Sequence, residues 1–244
     1  MVLFIIILII VAIFIVHNLS TTAEDKKTKN ETIERRERFV KTISPNARCV
    51  VNNGTHLFFI DDVQQTFGAD ESGKIYSFEG LNSIAKYDDA ITIYHKDSSG
   101  GICIGKDVLK SYTLPLDISS IISIYSEMKP ILRKKLYQEL SKYNIKPTHE
   151  YECDGHIWGC DINARKFYTT TAFTQIFDFD DLISVTIDNV ENNIYTNAAR
   201  IINISVWADY SDEPVEMEIF FKTLGATYNN MLAMFKGIRN RQYR

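Results

Sequence analysis

Apolar residues in this chain alternate between two spacings, and each change of spacing marks an element. From residue 56 to 104 they fall in short runs punctuated by Gly, Asp and Asn: 56–60, 63–68, 74–78, 81–87, 90–95 and 102–104, with a hairpin turn over 98–101. Such runs between turn-forming residues predict β-strands. The spacing then changes. Ile118, Ile121, Ile122, Tyr125 and Met128 recur at three to four residues, and the stripe resumes after Pro130 as Leu132, Leu136, Leu140 and Tyr143. This predicts a helix over 118–144 with a break or kink at Pro130. Short runs return at 155–160, 165–171, 175–178 and 182–188. Two longer ones follow, 200–208 and 215–222, joined by a turn at 211–214. In the last pair Val206 alternates with Trp207, and Met217, Ile219 and Phe221 share one face, as a half-buried antiparallel strand requires. A second helix is predicted over 224–240, striped by Leu224, Tyr228, Met231, Leu232 and Phe235. Lys236, Arg239, Arg241 and Arg244 at its end complement the negative pole of the helix dipole.

The two stretches repeat one another. His56, Asp61 and Phe67 return 100 residues later as His156, Asp161 and Phe167. Ile75, Phe78, Leu81 and Ser83 return 101 residues later as Ile176, Phe179, Leu182 and Ser184, so one inserted residue reconciles the copies. A period this long, with a helix closing each copy, predicts two small domains of like architecture, over 46–147 and 148–244.

Residues 1–16 hold neither charge nor helix breaker. Carried through Leu19, a helix there would be roughly 28 Å long, about the thickness of a bilayer core. The expectation is a single transmembrane anchor over 1–19. The competing reading is a secretory signal cleaved near Ala23, although no basic residue precedes the apolar run. Lys26, Lys27, Lys29, Arg35 and Arg36 follow it, which by the positive-inside rule places the bulk of the chain in the cytoplasm. Residues 20–45, almost without large apolar groups, read as a charged, partly helical stalk. Glu31 with Arg35, Glu34 with Arg38 and Glu37 with Lys41 are set four apart in the favourable order.

The fold class expected is α+β, mainly β. Around 176–185, the Phe179-Asp180-Asp181-Leu182 stretch precedes a predicted hairpin turned by Asp212-Glu213-Pro214 and a terminal amphipathic helix. This arrangement resembles uncharacterised bacterial pleckstrin-homology-like (PH-like) domains. The resemblance covers 150–241 and reaches 47–112 through the duplication. It implies two PH-like barrels, each closed by a helix, and no activity. Lipid-binding members of that fold hold phosphates with cations between their first two strands. The matching loops here, 50–56 and 151–156, contain neither Lys nor Arg, which disfavours phosphoinositide binding.

Composition narrows the chemistry further. With 27 Lys and Arg against 31 Asp and Glu, the net charge is −4, and the basic residues alternate with acids, so nucleic-acid binding is not expected. Cys49, Cys103, Cys153 and Cys160 occupy unmatched positions in the two copies and suit a reducing compartment. Cys153, His156 and Cys160 have ligand-like spacing, but zinc needs four ligands and only Asp154 or Asp161 lies near, so no metal site is assigned. Cys160 stands where the first copy has Ile60 and reads as a core residue. His56 and His156 read as structural, Asp61 and Asp161 as turn residues, and the Asp178, Asp180, Asp181 group as a solvated strand end. No nucleophile elbow, P-loop or dinucleotide fingerprint is present. The expectation is therefore a non-enzymatic protein without cofactor, a membrane-anchored scaffold engaging a protein or peptide partner. An enzyme using the 153–160 region and a purely structural part of a membrane assembly are the alternatives.

Overall fold

In the computed structural model, the structure describes residues 25–98, 101–105, 115–153, 155–171, 173–189, 200–221 and 225–242. The anchor expected over 1–19, the start of the stalk, Ala23, the tip of the 98–101 turn, Asp154, Leu224 and Arg244 lie outside them. Two compact units form, one up to Ser77 and one from Phe78 onward.

Among the described residues the first unit opens with a helix, α1, over residues 25–43. Four strands follow: β1 (Arg48–Asn52), β2 (Leu57–Asp61), β3 (Thr66–Gly68) and β4 (Tyr76–Ser77), hydrogen-bonded in that order as an antiparallel meander. The expected solvated stalk is corrected here: α1 packs on this sheet. Val40 is buried with Ala47, Leu57 and Phe59, and Phe39, Ile43 and Cys49 close around them. Asn52 donates to the Ile33 carbonyl (3.0 Å), and Arg36 meets Glu71 at 2.6 Å. One apolar residue per turn is enough to dock a helix whose other faces remain charged.

The second unit opens with a 3-10 turn (Phe78–Gly80) and a three-stranded meander, β5 (Leu81–Lys86), β6 (Ala90–His95) and β7 (Ile102–Gly105). Helix α2 (Ile118–Lys142) is N-capped by Asp117, whose carboxylate accepts the Ser120 N–H at 2.8 Å. It runs unbroken through Pro130, so the expected break does not form. Proline removes the one N–H that would reach Ser126. Ile121, Ile124 and Met128 before it and Leu132, Leu136 and Leu140 after it are all buried and hold both halves in line. Ile118 and Ile122, expected on the buried stripe, are exposed, and Ile124 takes their place.

A second four-stranded meander follows: β8 (His149–Cys153), β9 (His156–Asp161), β10 (Lys166–Thr169) and β11 (Gln175–Asp178). A 3-10 turn (Phe179–Asp181) leads to β12 (Leu182–Asn189), β13 (Arg200–Val206) and β14 (Val215–Phe221), and α3 (Ala226–Arg239) comes last. The main core sits here. Trp158 and Phe167 each meet Phe235 of α3 edge-on, at 5.9 and 6.1 Å.

The order of four strands, 3-10 turn, three strands and helix thus occurs twice along the chain. The two PH-like barrels expected are nevertheless corrected: among the described residues the strands form four open sheets and no closed barrel. The single-pass membrane reading is also corrected. Among the described residues no helix is long and apolar enough to cross a bilayer. Lys134 and Lys142 of α2 and Lys236 and Arg239 of α3 are exposed.

One exchange between the copies shows what the meander requires. In the first, Phe59 stands opposite Gly68; in the second, Gly159 stands opposite Tyr168. Each ring lies over the partner glycine, where a Cβ would overlap it. One large side chain per pair fills the position, from either strand. Gly68→Ala and Gly159→Ala should each destabilise by about 1–3 kcal/mol through overpacking, read as a lowered melting temperature. In a Phe59→Leu background the Gly68→Ala cost should shrink, a coupling that a double-mutant cycle measures.

Candidate functional site

The residues singled out by their spacing do not converge. Cys153, on β8, donates its thiol to the Phe220 carbonyl (3.0 Å). His156 meets the Thr170 carbonyl through Nδ1 at 3.2 Å. Cys160 is buried in the main core, and the histidine near its sulfur is His149, at 3.9 Å. Burial pushes the Cys160 thiol up, so the thiolate that nucleophilic chemistry needs is disfavoured. Among the described residues no three His, Cys, Asp or Glu side chains gather as a metal site.

Asp61 and Asp161 are buried turn residues with one role. Asp61 Oδ1 accepts the N–H groups of Val63 and Gln64, while Oδ2 accepts the Ser44 hydroxyl. Asp161 Oδ1 accepts from Asn163 and Ala164, and Oδ2 accepts the Lys146 N–H at 2.6 Å. The Ser44 hydroxyl, with the Gln64 N–H, holds the Asp61 carboxyl below its ordinary value. Burial opposes ionisation of Asp161, and the three backbone donors, led by Lys146, outweigh it. His56 sits at the preceding turn, its N–H on Asn53 Oδ1 (2.8 Å). Asp180 pairs with Arg165 at 3.2 Å, Asp178 with Lys166 at 2.6 Å, and Asp181 Oδ2 accepts the Asp178 N–H (2.8 Å).

What the second unit does assemble is a cleft of about 570 Å³. Its walls are the C-terminal half of α2 (Lys135, Glu139) with the capping Tyr143, strand β11 with Phe173 and Thr174 before it, and the turn after β13 (Trp207, Ala208, Asp209, Tyr210). Phe173, Trp207 and Tyr210 are 45, 48 and 58% exposed, although large aromatics usually bury. Phe173 meets Tyr210 at 6.2 Å between ring centroids, and Gln175 Nε2 donates to the Tyr210 hydroxyl (3.1 Å). The Trp207 N–H on the Asp181 carbonyl (2.9 Å) ties the aromatic turn to the 3-10 turn. Lys135 donates to the carbonyls of Glu79 (2.8 Å) and Leu81, and burial holds its ammonium pKa below the ordinary value.

Among the described residues strand β11 is an edge, paired only with β10. The Asp178 N–H turns to Asp181 rather than across to β10. By the two-residue alternation of an antiparallel strand, the N–H and C=O of Ile176 also face outward. Sequence reasoning did not single out Phe173, Trp207, Tyr210 or Gln175 as a site. The available signal was two aromatics flanking Ala-Asp just before a predicted hairpin turn.

The wall formed by α2 is fastened to β8 by a polar network. Glu152 takes the Tyr125 hydroxyl and Lys129 (2.6 Å). Glu150 takes Arg133 (3.0 Å), Tyr137 (3.0 Å) and Tyr168 (3.1 Å). Lys86 lies over the Tyr125 ring at 4.2 Å. Burial and the neighbouring carboxylates push Tyr125 and Tyr168 well above the ordinary phenol range, so both act as donors.

No family model, no curated protein and no solved structure matches this chain.

Burial opposes ionisation of Glu152, but the hydrogen bonds from Lys129 and Tyr125 hold its pKa below the ordinary value. A carboxylate depressed on folding contributes stability that is full above its unfolded pKa of about 4.3 and is lost as pH falls through the lower folded value. Glu152→Gln should therefore cost about 1–3 kcal/mol at pH 7, with a shallower loss of stability than wild type below about pH 4.3, measured by urea unfolding across pH.

Proposed function

We propose that this chain is a binding protein that captures an extended peptide segment along β11, with the segment's side chains received by the aromatic cleft. The observation that carries the reading is the coincidence of an open strand edge with a wall of three exposed rings. An extended peptide adds to a sheet edge through main-chain hydrogen bonds and takes specificity from side-chain pockets beside it. A cleft of this volume lies within the usual range for ligand sites. Exposed strand edges are ordinarily blunted, and here the Asp178 N–H is already capped while Ile176 keeps its outward pair. Tyrosine and tryptophan supply contact area at low entropic cost and are over-represented among residues that dominate binding energy. Cys153, His156 and Cys160, engaged with core atoms and backbone carbonyls, do not favour the enzyme alternative.

Selection of a displayed random octapeptide library on the full chain provides the test. Enriched peptides should weaken by at least about tenfold on Trp207→Ala or Tyr210→Ala, as expected for aromatic anchors. Binding should also be lost with Ile176→Pro, which removes an outward N–H without taking a rung from the sheet, provided melting shows the variant folded. A library that yields no binders, or binders indifferent to both aromatic substitutions, overturns the reading.

A further inference from the structure

We propose that the anchor of the captured peptide is a cationic side chain, lysine or arginine, seated among Phe173, Trp207 and Tyr210; this rests on the peptide-capture reading. The cleft is lined by four carboxylates, Glu139, Asp178, Asp181 and Asp209, against two ammonium groups. Both ammonium groups are already engaged: Lys166 with Asp178 at 2.6 Å, and Lys135 with two backbone carbonyls. Asp209 lies between Trp207 and Tyr210 in sequence, is exposed, and forms no ion pair among the described residues. Glu139 pairs with Lys142 at 2.9 Å and Asp178 with Lys166, so the like charge that an acidic anchor would meet is that of Asp209. An apolar anchor would cover Asp209 and leave its carboxylate without a partner, which is costly.

The rings argue for the same occupant. Phe173 and Tyr210 stand at 63° to each other, forming a corner rather than a stack. Ring faces attract a cation within about 6 Å of the centroid, and more strongly when water is excluded. Gln175 adds a third term. Its Nε2 serves Tyr210, while its Oε1 is buried with no hydrogen-bond partner. Turning the amide over exchanges the two atoms and still leaves one of them unsatisfied. Rotation of the Gln175 side chain toward the cleft would bring Oε1 to an ammonium or guanidinium N–H, which satisfies it.

The experiment uses the peptides enriched on the full chain and reads both their composition and their affinity. The pool should hold Lys or Arg at one shared position. Replacing that residue by norleucine should weaken binding about 10- to 30-fold in a calorimetric titration, the range for a desolvated cation on aromatic rings. Asp209→Asn and Tyr210→Ala should each shrink the gap between the cationic and norleucine peptides, and raising the salt concentration should shrink it too. A norleucine peptide that binds as well as its parent, or a pool dominated by acidic or apolar anchors, overturns the cationic anchor and leaves peptide capture standing. Absence of any enriched peptide overturns both.

Discussion

The fastening of α2 to β8 is the interaction on which the second unit depends. Glu150 and Glu152 lie two apart on an edge strand, so both point to one side. That side is occupied by Tyr125, Lys129, Arg133 and Tyr137 of α2, at the three-to-four spacing that puts them on one helix face. Beneath this polar seam, Leu136 and Leu140 pack with Ile145, Ile157 and Tyr168. The helix that closes the first copy is thereby also part of the second copy's core. A partly buried charged seam adds less free energy than its number of bonds suggests, because desolvation offsets much of the gain. Its clearer consequence is register, since a slip of α2 by one turn would leave two carboxylates facing the wrong partners. The same register sets Lys135, Glu139 and Tyr143 opposite β11 and so defines the cleft.

The duplication shows which local features the meander cannot do without. Asp61 and Asp161 close equivalent four-residue turns, and the last residue of each, Gln65 and Arg165, takes a left-handed conformation with φ of 55°. The same carboxylates also bind the incoming chain, through Ser44 in one copy and the Lys146 N–H in the other. A buried aspartate with three donors ties the turn to the segment before the sheet, and burying it with fewer would carry a large penalty. The Lys96 N–H reaches the Gly80 carbonyl as the Trp207 N–H reaches Asp181, both at 2.9 Å. Backbone closure is thus retained where the side chains differ.

Much of this was legible in the residues. The strands other than β1 and β8, helices α2 and α3 and the buried face of β14 follow from spacing, and the roles of Asp61 and Asp161 follow from their place before a turn. Three things were not. Docking of α1 depends on Val40 and a few neighbours meeting a sheet, and periodicity in a charged segment cannot report that. The continuity of α2 through Pro130 depends on buried leucines beyond it, a tertiary compensation for a local cost. The openness of the sheets is the third: strand number and order are properties of the chain, whereas closure depends on which edges meet. The cleft was illegible for a related reason, since Phe173, Gln175, Trp207 and Tyr210 come together only once β11 lies beside the turn after β13.

The position of that cleft follows from where the copies part company. Trp207 occupies the place held by Lys96 in the first copy, and Gln175 and Asp178 occupy those of Lys74 and Ser77. The positions that build the meander keep their chemistry, as Asp61 and Asp161 or Phe67 and Phe167 do. Those along the outer edge of β11 and the adjoining turn have changed it, toward aromatic rings and carboxylates. Exposed rings give up favourable burial, and their arrangement around an open strand has no counterpart in the packing needs of either meander. Stability therefore accounts for the repeated residues, whereas the rings and carboxylates around β11 are the ones on which the proposed peptide capture rests.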